Sequence, residues 1–383
     1  TTKSKGLHMQ YGRHSINDAD IEAVVRVLKS DYITSGPEVP LFEKNISEFC
    51  GVKYGVAVNS GSSALECALS AISVRGYRVV VPNITFVATV NAVTNQGGEV
   101  VLCDVTDSGH IDVNALGRLL YGSENIVAVI SVDFAGIPCD YDKINALCVR
   151  YNIVHISDAA HSLGAFYKSN QSGKFEPVGS LADITCFSFH PVKTITTAEG
   201  GMCVTDNRNV AAHMRMYRSH GVDIPVERRM NYKYDVLYSG HNYRMNEIQA
   251  ALGNSQFKRM SDFLAKRNEL SYRYITNFKE NDKLRTFVRP TFDIVNTYQF
   301  VSSWHIFTVL VKSRDKVYFG MRDMGINCNV HYLPISDTTA YRTYNSNLGN
   351  SNEVAAQLLT LPLYYSMTLE DVDIVCAKLS SLL

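Results

Sequence analysis

The chain has 383 residues, 46% of them hydrophobic and 19% charged, so it can bury a sizeable core and is too long for one average domain. Its 37 basic and 37 acidic side chains cancel without long single-sign blocks, which argues against nucleic acid as a partner, and no apolar run reaches the roughly 20 residues that span a bilayer, which argues against a membrane. Nine cysteines lack C-x-x-C spacing or a metal-type cluster, and the N-terminal stretch Thr1–His8 has no apolar signal core; reduced, buried thiols, no metal site and a cytoplasmic location are expected.

Ile21, Val24, Val25 and Leu28 follow helical spacing behind Ser15-x-x-Asp18, which predicts an amphipathic helix with a capping box that ends before Ser35-Gly36-Pro37. From there β-rich runs at 54–58, 78–81, 99–103, 126–132, 153–157 and 183–189 alternate with helical patterns at 64–72, 86–95, 113–120 and 141–151. Such alternation predicts a mostly parallel, helix-covered sheet, whose ligands bind beyond the carboxyl ends of the strands. The turn-rich stretch from Gly221 to Gly240 reads as a long loop or flap. A helix beginning at Ile248 is expected to run past Leu264 toward Phe278. Strands at 304–311 and 328–332 follow, and a last helix carries Val372, Val375 and Leu379 behind the box Thr368-x-x-Asp371. The fold class is therefore α/β, with a large domain at 14–255 and a smaller α+β domain at 256–383.

Three motifs fall at the carboxyl edge of the expected sheet. Ser60-Gly61-Ser62-Ser63 joins a strand to a helix, where free N–H groups and the positive end of the dipole favour a phosphate; read alone, it is more simply a helix cap, with Ser63-x-x-Glu66 as the box. No G-x-G-x-x-G occurs, which disfavours a dinucleotide site. Asp158 ends the apolar run Ile153–Ile156, where it can cap the next helix or pair with the pyridine nitrogen of pyridoxal phosphate (PLP). His161, about one helical turn on, either supports that aspartate or the ring, or packs in the core. Lys193 follows Pro191 off the end of Asp183–Phe189; most lysines are solvated, but behind a phosphate cup and a pyridine-nitrogen acid it stands where a PLP enzyme carries its Schiff-base lysine. Ser188 is placed to add a hydroxyl to the cup, and Phe86 to stack on the ring.

Further blocks carry a family resemblance. They are Tyr11-Gly12-Arg13-His14-Ser15-Ile16, Ser35-Gly36-Pro37, Asp158-Ala159-Ala160-His161-Ser162, the stretch Ser188–Gly201, Arg218-Ser219-His220-Gly221, Gly240–Gly253 and His331-Tyr332-x-Pro334-Ile335. Together they resemble the DegT/StrS-type nucleotide-sugar aminotransferases of the aspartate-aminotransferase-like PLP superfamily, over most of the chain. The lysine stretch and Arg218–Gly221 are most similar to the branch of pseudaminic acid synthesis, the UDP-4-amino-4,6-dideoxy-N-acetyl-altrosamine transaminases. The resemblance implies PLP, with a pyridoxamine phosphate intermediate, as cofactor. It implies Lys193 and Asp158 as catalytic residues, Gly61, Ser62 and Ser188 at the phosphate, and Phe86 and His161 at the ring. It also implies a homodimer in which Asn242 reaches the neighbouring subunit's cofactor phosphate, and L-glutamate as donor to C4 of a UDP-linked 4-keto-6-deoxy-(N-acetyl)hexosamine. Tyr11, His220 and His331 are the weaker candidates for substrate contact. The chain departs from the common pattern at Gly61-Ser62, where Ala-Thr is frequent, and at Thr194, where proline is common. Lys193 argues against the dehydratase branch that carries histidine there. Open alternatives are a 4-aminotransferase of the GDP-perosamine, bacillosamine or viosamine type, a PLP-binding regulator without turnover, and a structural module without PLP.

Overall fold

Runs rich in valine and isoleucine are apolar on both faces, the pattern of strands covered by helices on either side, and all six such runs become strands of one sheet. The computed structural model describes residues 8–224, 230–294, 299–344 and 348–383; residues 1–7 and the 225–229 part of the expected flap lie outside the described residues. The chain opens with α1 (Asp18–Leu28) and α2 (Glu38–Cys50). Then β1 (Tyr54–Val58), α3 (Gly61–Ala71), β2 (Arg78–Pro82), α4 (Val87–Asn95), β3 (Glu99–Cys103), α5 (Val113–Gly122), β4 (Ile126–Val132), α6 (Tyr141–Tyr151) and β5 (Val154–Asp158) alternate. Short β6 (Phe166–Lys168) and β7 (Phe175–Pro177) precede β8 (Ile184–Ser188), β9 (Gly201–Thr205) and α7 (Arg208–Tyr217). After α8 (Glu247–Phe257) and α9 (Met260–Glu280) come α10 (Asp282–Phe287), β10 (Val288–Pro290), β11 (Phe300–Val301), β12 (Phe307–Val311), α11 (Arg314–Asp323), α12 (Gly349–Gln357), β13 (Leu358–Leu361) and α13 (Leu369–Leu382).

The large sheet has seven strands in the order β1-β9-β8-β5-β4-β2-β3. β9 alone runs against its neighbours β1 and β8, and the other pairs are parallel. In register, Val132 lies beside Asp158 and Asp158 beside Cys186, while Gly201 pairs with both Val58 and Ser188. The carboxyl ends of β1, β4, β5 and β8 therefore form one edge. A smaller antiparallel sheet, β10-β12-β13, packs with α9 and α13 around Tyr274, Phe307, Leu359 and Leu379. The architecture is the expected α/β one: a large, mostly parallel, helix-covered sheet and a smaller C-terminal β-rich region.

Local expectations differ in six respects. The cap of α1 is Asn17 with Asp20, not Ser15 with Asp18. The face of α1 that goes inward carries Ala23, Val27 and Asp20, whereas Ile21 and Leu28 are 53% and 56% exposed. Asp20 is tolerated inside because Arg259, Gln256 and Ser255 all bond its carboxylate. The single helix expected from Ile248 breaks into α8 and α9 at Lys258 and Arg259, where Arg259 turns onto Asp20 and the ring of Phe263. The run 328–332 is not a strand: it makes one isolated bridge, Asn329 to Thr360, and the sheet is completed by β13. The strand expected at 304–311 starts only at Phe307. Ser63 and Glu66 are not a capping box either: Ser60 is the cap of α3, and Glu66 accepts from Asn95 and Tyr243.

Candidate active site

At the carboxyl edge of the large sheet lies a cavity of about 570 Å³ whose lining includes Gly61, Ser62, Phe86, Asp158, His161, Ser188 and Lys193. Each arrives there for a local reason. α3 begins directly after β1, with the Ser60 hydroxyl accepting from the N–H of Ser63 at 3.0 Å. The N–H groups of Gly61 and Ser62 fall in the first turn, where a helix has no acceptors of its own. Ser63 is turned away, since its hydroxyl bonds Asn59 Oδ1 at 2.6 Å; Ser62, exposed, is the hydroxyl that faces the cavity. A Cβ on Gly61 would meet Ser188 Cβ at 2.9 Å, so glycine is what lets the end of β8 close against the first turn of α3.

Asp158 ends β5 and is buried. No helix follows it; a turn does, closed by Ser162 N–H on the Ala159 carbonyl at 3.0 Å. Its Oδ2 accepts from the Thr89 hydroxyl at 2.8 Å and its Oδ1 from the Ala160 N–H at 3.2 Å. Thr89 is itself paired with Thr85 at 2.7 Å. Burial pushes the Asp158 carboxyl above the ordinary carboxylate range, and the bonds from Thr89 and Ala160 and the charge of Lys193 oppose that push.

Lys193 rides a loop closed at its base by Phe189 N–H on Gly200 O at 2.9 Å and Thr197 N–H on Phe189 O at 3.0 Å. Burial pushes its amine down to about 8, against the Asp158 carboxylate and with the help of the Arg267 guanidinium. His161 lies 4.3 Å from His305, ring to ring, and shares a 3.1 Å hydrogen bond with the Tyr332 hydroxyl through Nε2. Burial first, then Lys193 and His331, hold His161 well below the ordinary histidine value. Phe86, 56% exposed, caps the start of α4 and tilts against Tyr332 at 5.7 Å.

Two of the weaker candidates join this cavity. Tyr11 and His331 line it, 5.3 Å apart, and His331 bonds Thr360 at 2.8 Å. Burial lowers His331 to about 3, so it is neutral at physiological pH. His220 and Asn242 do not line the cavity within one chain. Both are exposed on the strip where Ser219 bridges Asn242, with the His220 N–H on the His241 carbonyl. Sequence reasoning passed over Thr85 and Thr89, Tyr332 and Arg267. The threonines stand four residues apart beside Phe86, a spacing that puts both hydroxyls on one side of a helix start, and this was the available signal for them.

These residues fit PLP. An amine is held partly deprotonated beside a buried carboxylate, the cup behind Ser188 has room only for glycine, and His161 Nδ1 is a buried polar atom with no partner among the described residues. Among the described residues no cluster of three or more His, Cys, Asp or Glu could hold a metal.

A model of the DegT/DnrJ/EryC1/StrS aminotransferase family matches residues 14–380. The chain belongs to this family. Among its relatives, a UDP-4-amino-4,6-dideoxy-N-acetyl-beta-L-altrosamine transaminase of Campylobacter jejuni is 35% identical, the match covering 98% of this chain and 97% of that one. A protein of the same name from Helicobacter pylori is 32% identical over 95% of this chain and 94% of its own. Among solved structures, Helicobacter pylori PseC, an aminotransferase involved in the biosynthesis of pseudoaminic acid, superposes with a TM-score of 0.89 at 30% identity, covering 98% of this chain and 99% of its own. The putative sugar aminotransferase Spr1654 of Streptococcus pneumoniae, solved in PLP, PMP and apo forms, gives 0.88 at 28% identity, covering 98% of this chain and 97% to 99% of its own. The DegT/DnrJ/EryC1/StrS aminotransferases are PLP-dependent, and this member has their aminotransferase fold.

Proposed function

We propose that this family member transfers the amino group of L-glutamate to C4 of a UDP-linked 4-keto-6-deoxy-(N-acetyl)hexosamine, as a cytoplasmic homodimer whose protomers divide into a PLP-binding domain at 14–255 and a smaller domain at 256–383. What carries the reading is the meeting of Lys193, Asp158 and the α3 first turn in one cavity, in a chain whose relatives are named as transaminases of such a sugar. PLP, when bound, supplies the electron sink for charge that develops at the substrate carbon. Gly61, Ser62 and Ser188 would hold its phosphate, Phe86 would lie against its ring, and Asp158 would keep a proton on its pyridine nitrogen. Lys193 moves protons at the reacting carbons. With its value near 8, about a tenth of the amine is free at pH 7, against less than about a thousandth for an ordinary lysine. His331 and Tyr11 offer neutral hydrogen-bonding groups to sugar hydroxyls.

The homodimer has its own support. Ile16, Ile21, Leu28, Tyr32 and Ile33 are all more than 40% exposed on α1 and its flanks, an apolar strip of the kind that subunits cover. In this reading Asn242 reaches the neighbour's cofactor phosphate, and His220 is a candidate for substrate contact. Cytoplasmic placement accords with the described helices, none of which is long and apolar enough to cross a membrane.

The first measurement is an absorbance spectrum of the PLP-loaded protein before and after L-glutamate, without sugar. The expected result is replacement of the near-visible band of the PLP form by the near-ultraviolet band of the pyridoxamine phosphate form. A spectrum that glutamate leaves unchanged refutes the donor. Reoxidation by a panel of UDP-, GDP- and dTDP-linked 4-keto sugars then identifies the carrier, and a preference for a carrier other than UDP refutes that part of the reading.

A further inference from the structure

Arg267, in the middle of α9, is 3% exposed, and no carboxylate pairs with it among the described residues. Among the described residues its guanidinium donates only to backbone carbonyls: Trp304 at 3.2 Å, His305 at 2.9 Å, Leu363 at 3.3 Å and Val192 at 3.4 Å. These acceptors come from three separate stretches. Trp304 and His305 lead into β12, Leu363 follows β13 and takes the Tyr11 carbonyl on its own N–H, and Val192 immediately precedes Lys193. A small second cavity behind the lysine loop is bounded by Lys193 and Arg267 together. Carbonyls could be satisfied by a neutral donor at far lower desolvation cost, and a buried cation with no counter-ion acts on whatever ionisable group lies beside it.

We propose that Arg267 is a positioning residue for the reacting amine: it ties the Lys193 loop to the C-terminal sheet and supplies a fixed positive charge that keeps Lys193 from holding its proton. The proposal rests on the reading of Lys193 as the reacting amine. Other groups face Lys193 from every side, and their contributions are separable. Asp158, from β5, favours the protonated amine. His161, His305 and His331 are held below the ordinary histidine value by burial, and Lys193 works in the same direction on each. His190, on the same loop, is lowered by burial and feels both Glu199 and Lys193. The phenols of Tyr11 and Tyr332 are pushed up by burial and stay neutral, while Arg13 and His14 also line the second cavity. Arg267 is itself lowered by burial only to about 10, so it remains charged wherever Lys193 titrates.

The test is competitive labelling of the apoprotein with trace acetic anhydride from pH 6 to 11, with the Lys193 peptide quantified by mass spectrometry. It needs neither PLP nor turnover, so it fails or succeeds apart from the transaminase reading, which the glutamate spectrum decides. The wild-type midpoint is expected near 8; a midpoint at the ordinary lysine value overturns the proposal whatever the variants do. Arg267→Gln, and Arg267→Met as the second neutral variant should the first not fold, are expected to raise the midpoint by about half a unit to one unit, which is about three- to tenfold less free amine at pH 7. Arg267→Lys, which keeps the charge and loses the fork, is expected to stay near wild type in midpoint while losing thermal stability. A neutral variant with the wild-type circular dichroism spectrum and an unmoved midpoint, or an equal shift in Arg267→Lys, makes Arg267 a structural tether only and refutes the electrostatic role.

Discussion

Replacing Thr89 by valine isolates one hydrogen bond at a buried carboxylate in the site. The side chains are nearly isosteric, Thr89 is fully buried, and the lost hydroxyl is the one that donates to Asp158 Oδ2 at 2.8 Å. A hydrogen bond to a charged group contributes about 1.5–3 kcal/mol, so the ionised carboxylate loses roughly that much and its value moves further up in the direction that burial already pushes it. The sign follows. A carboxyl whose folded value lies above its unfolded value binds more protons folded than unfolded, so stability falls as pH rises from the unfolded value through the folded one. The variant extends that window upward. Urea unfolding of the two apoproteins between pH 8 and about pH 4.5 is therefore expected to show a loss of about 1.5–3 kcal/mol at pH 8 that shrinks as Asp158 becomes protonated. In the loaded enzyme the acid limb of kcat/KM is expected to move to higher pH, because the proposed role of Asp158 at the pyridine nitrogen requires its ionised form. Thr85→Val, one hydroxyl further back, should do both to a smaller extent. A stability loss that is the same at both ends of the pH range refutes the argument, since it would mean that the hydroxyl contributes packing and no charge stabilisation.

Three further outcomes are expected. Lys193→Ala abolishes turnover while leaving the circular dichroism spectrum unchanged, and near-normal transamination by that variant sinks the assignment. Gly61→Ala forces a methyl to within 2.9 Å of Ser188 Cβ and weakens PLP by about tenfold or more through loss of about one phosphate contact, measured by equilibrium titration of the apoprotein; unchanged affinity would take the phosphate away from this turn. Mixed dimers of Lys193→Ala with Asn242→Ala regain about half of the wild-type rate per heterodimer, since one of their two sites draws both residues from unaltered sequence. Recovery absent from a mixture shown to exchange subunits places Asn242 outside the neighbour's site.

The large sheet was legible because strands covered on both faces must be apolar throughout, and Val79, Val80 and Val81 or Ile126–Val132 admit few other readings. The main-chain position of the site followed from the same pattern: a residue at the end of a parallel strand lies at the ligand edge, which put Ser62, Asp158 and Ser188 together before any side chain was placed. The register of α1 was not legible, because the helix is apolar on two faces and its inward face carries an aspartate that only Arg259, Gln256 and Ser255, more than 230 residues away in sequence, make tolerable. The same holds for Arg267. In the sequence it is one of several basic residues on a helix with helical apolar spacing, and nothing local says that three distant carbonyl-bearing segments converge on it. Run 328–332 misled for the opposite reason: alternating residues suggested a strand, yet its side chains are spent on the cavity, through Asn329, His331 and Tyr332, and the backbone pairing falls to Leu358–Leu361.

The balance of charge around Lys193 links these local facts to the reaction proposed. Four histidines, His161, His190, His305 and His331, line the cavity, and if they were imidazolium the amine would face a wall of like charge. Burial lowers all four: His331 lies near 3, His161 and His305 are held well below the ordinary value, and His190 is shifted the same way. Asp158 and Arg267 then act on the lysine in opposite senses, the carboxylate favouring its proton and the guanidinium opposing it. Under that arrangement Lys193, near 8, stands where a modest change of field alters its protonation, which is the condition a proton carrier requires at neutral pH. The neutral imidazoles and the Tyr11 and Tyr332 phenols are left to donate to or accept from uncharged hydroxyl and keto oxygens. A pocket built this way discriminates by hydrogen bonding at its walls and keeps its charge for the carbon at which the proton moves.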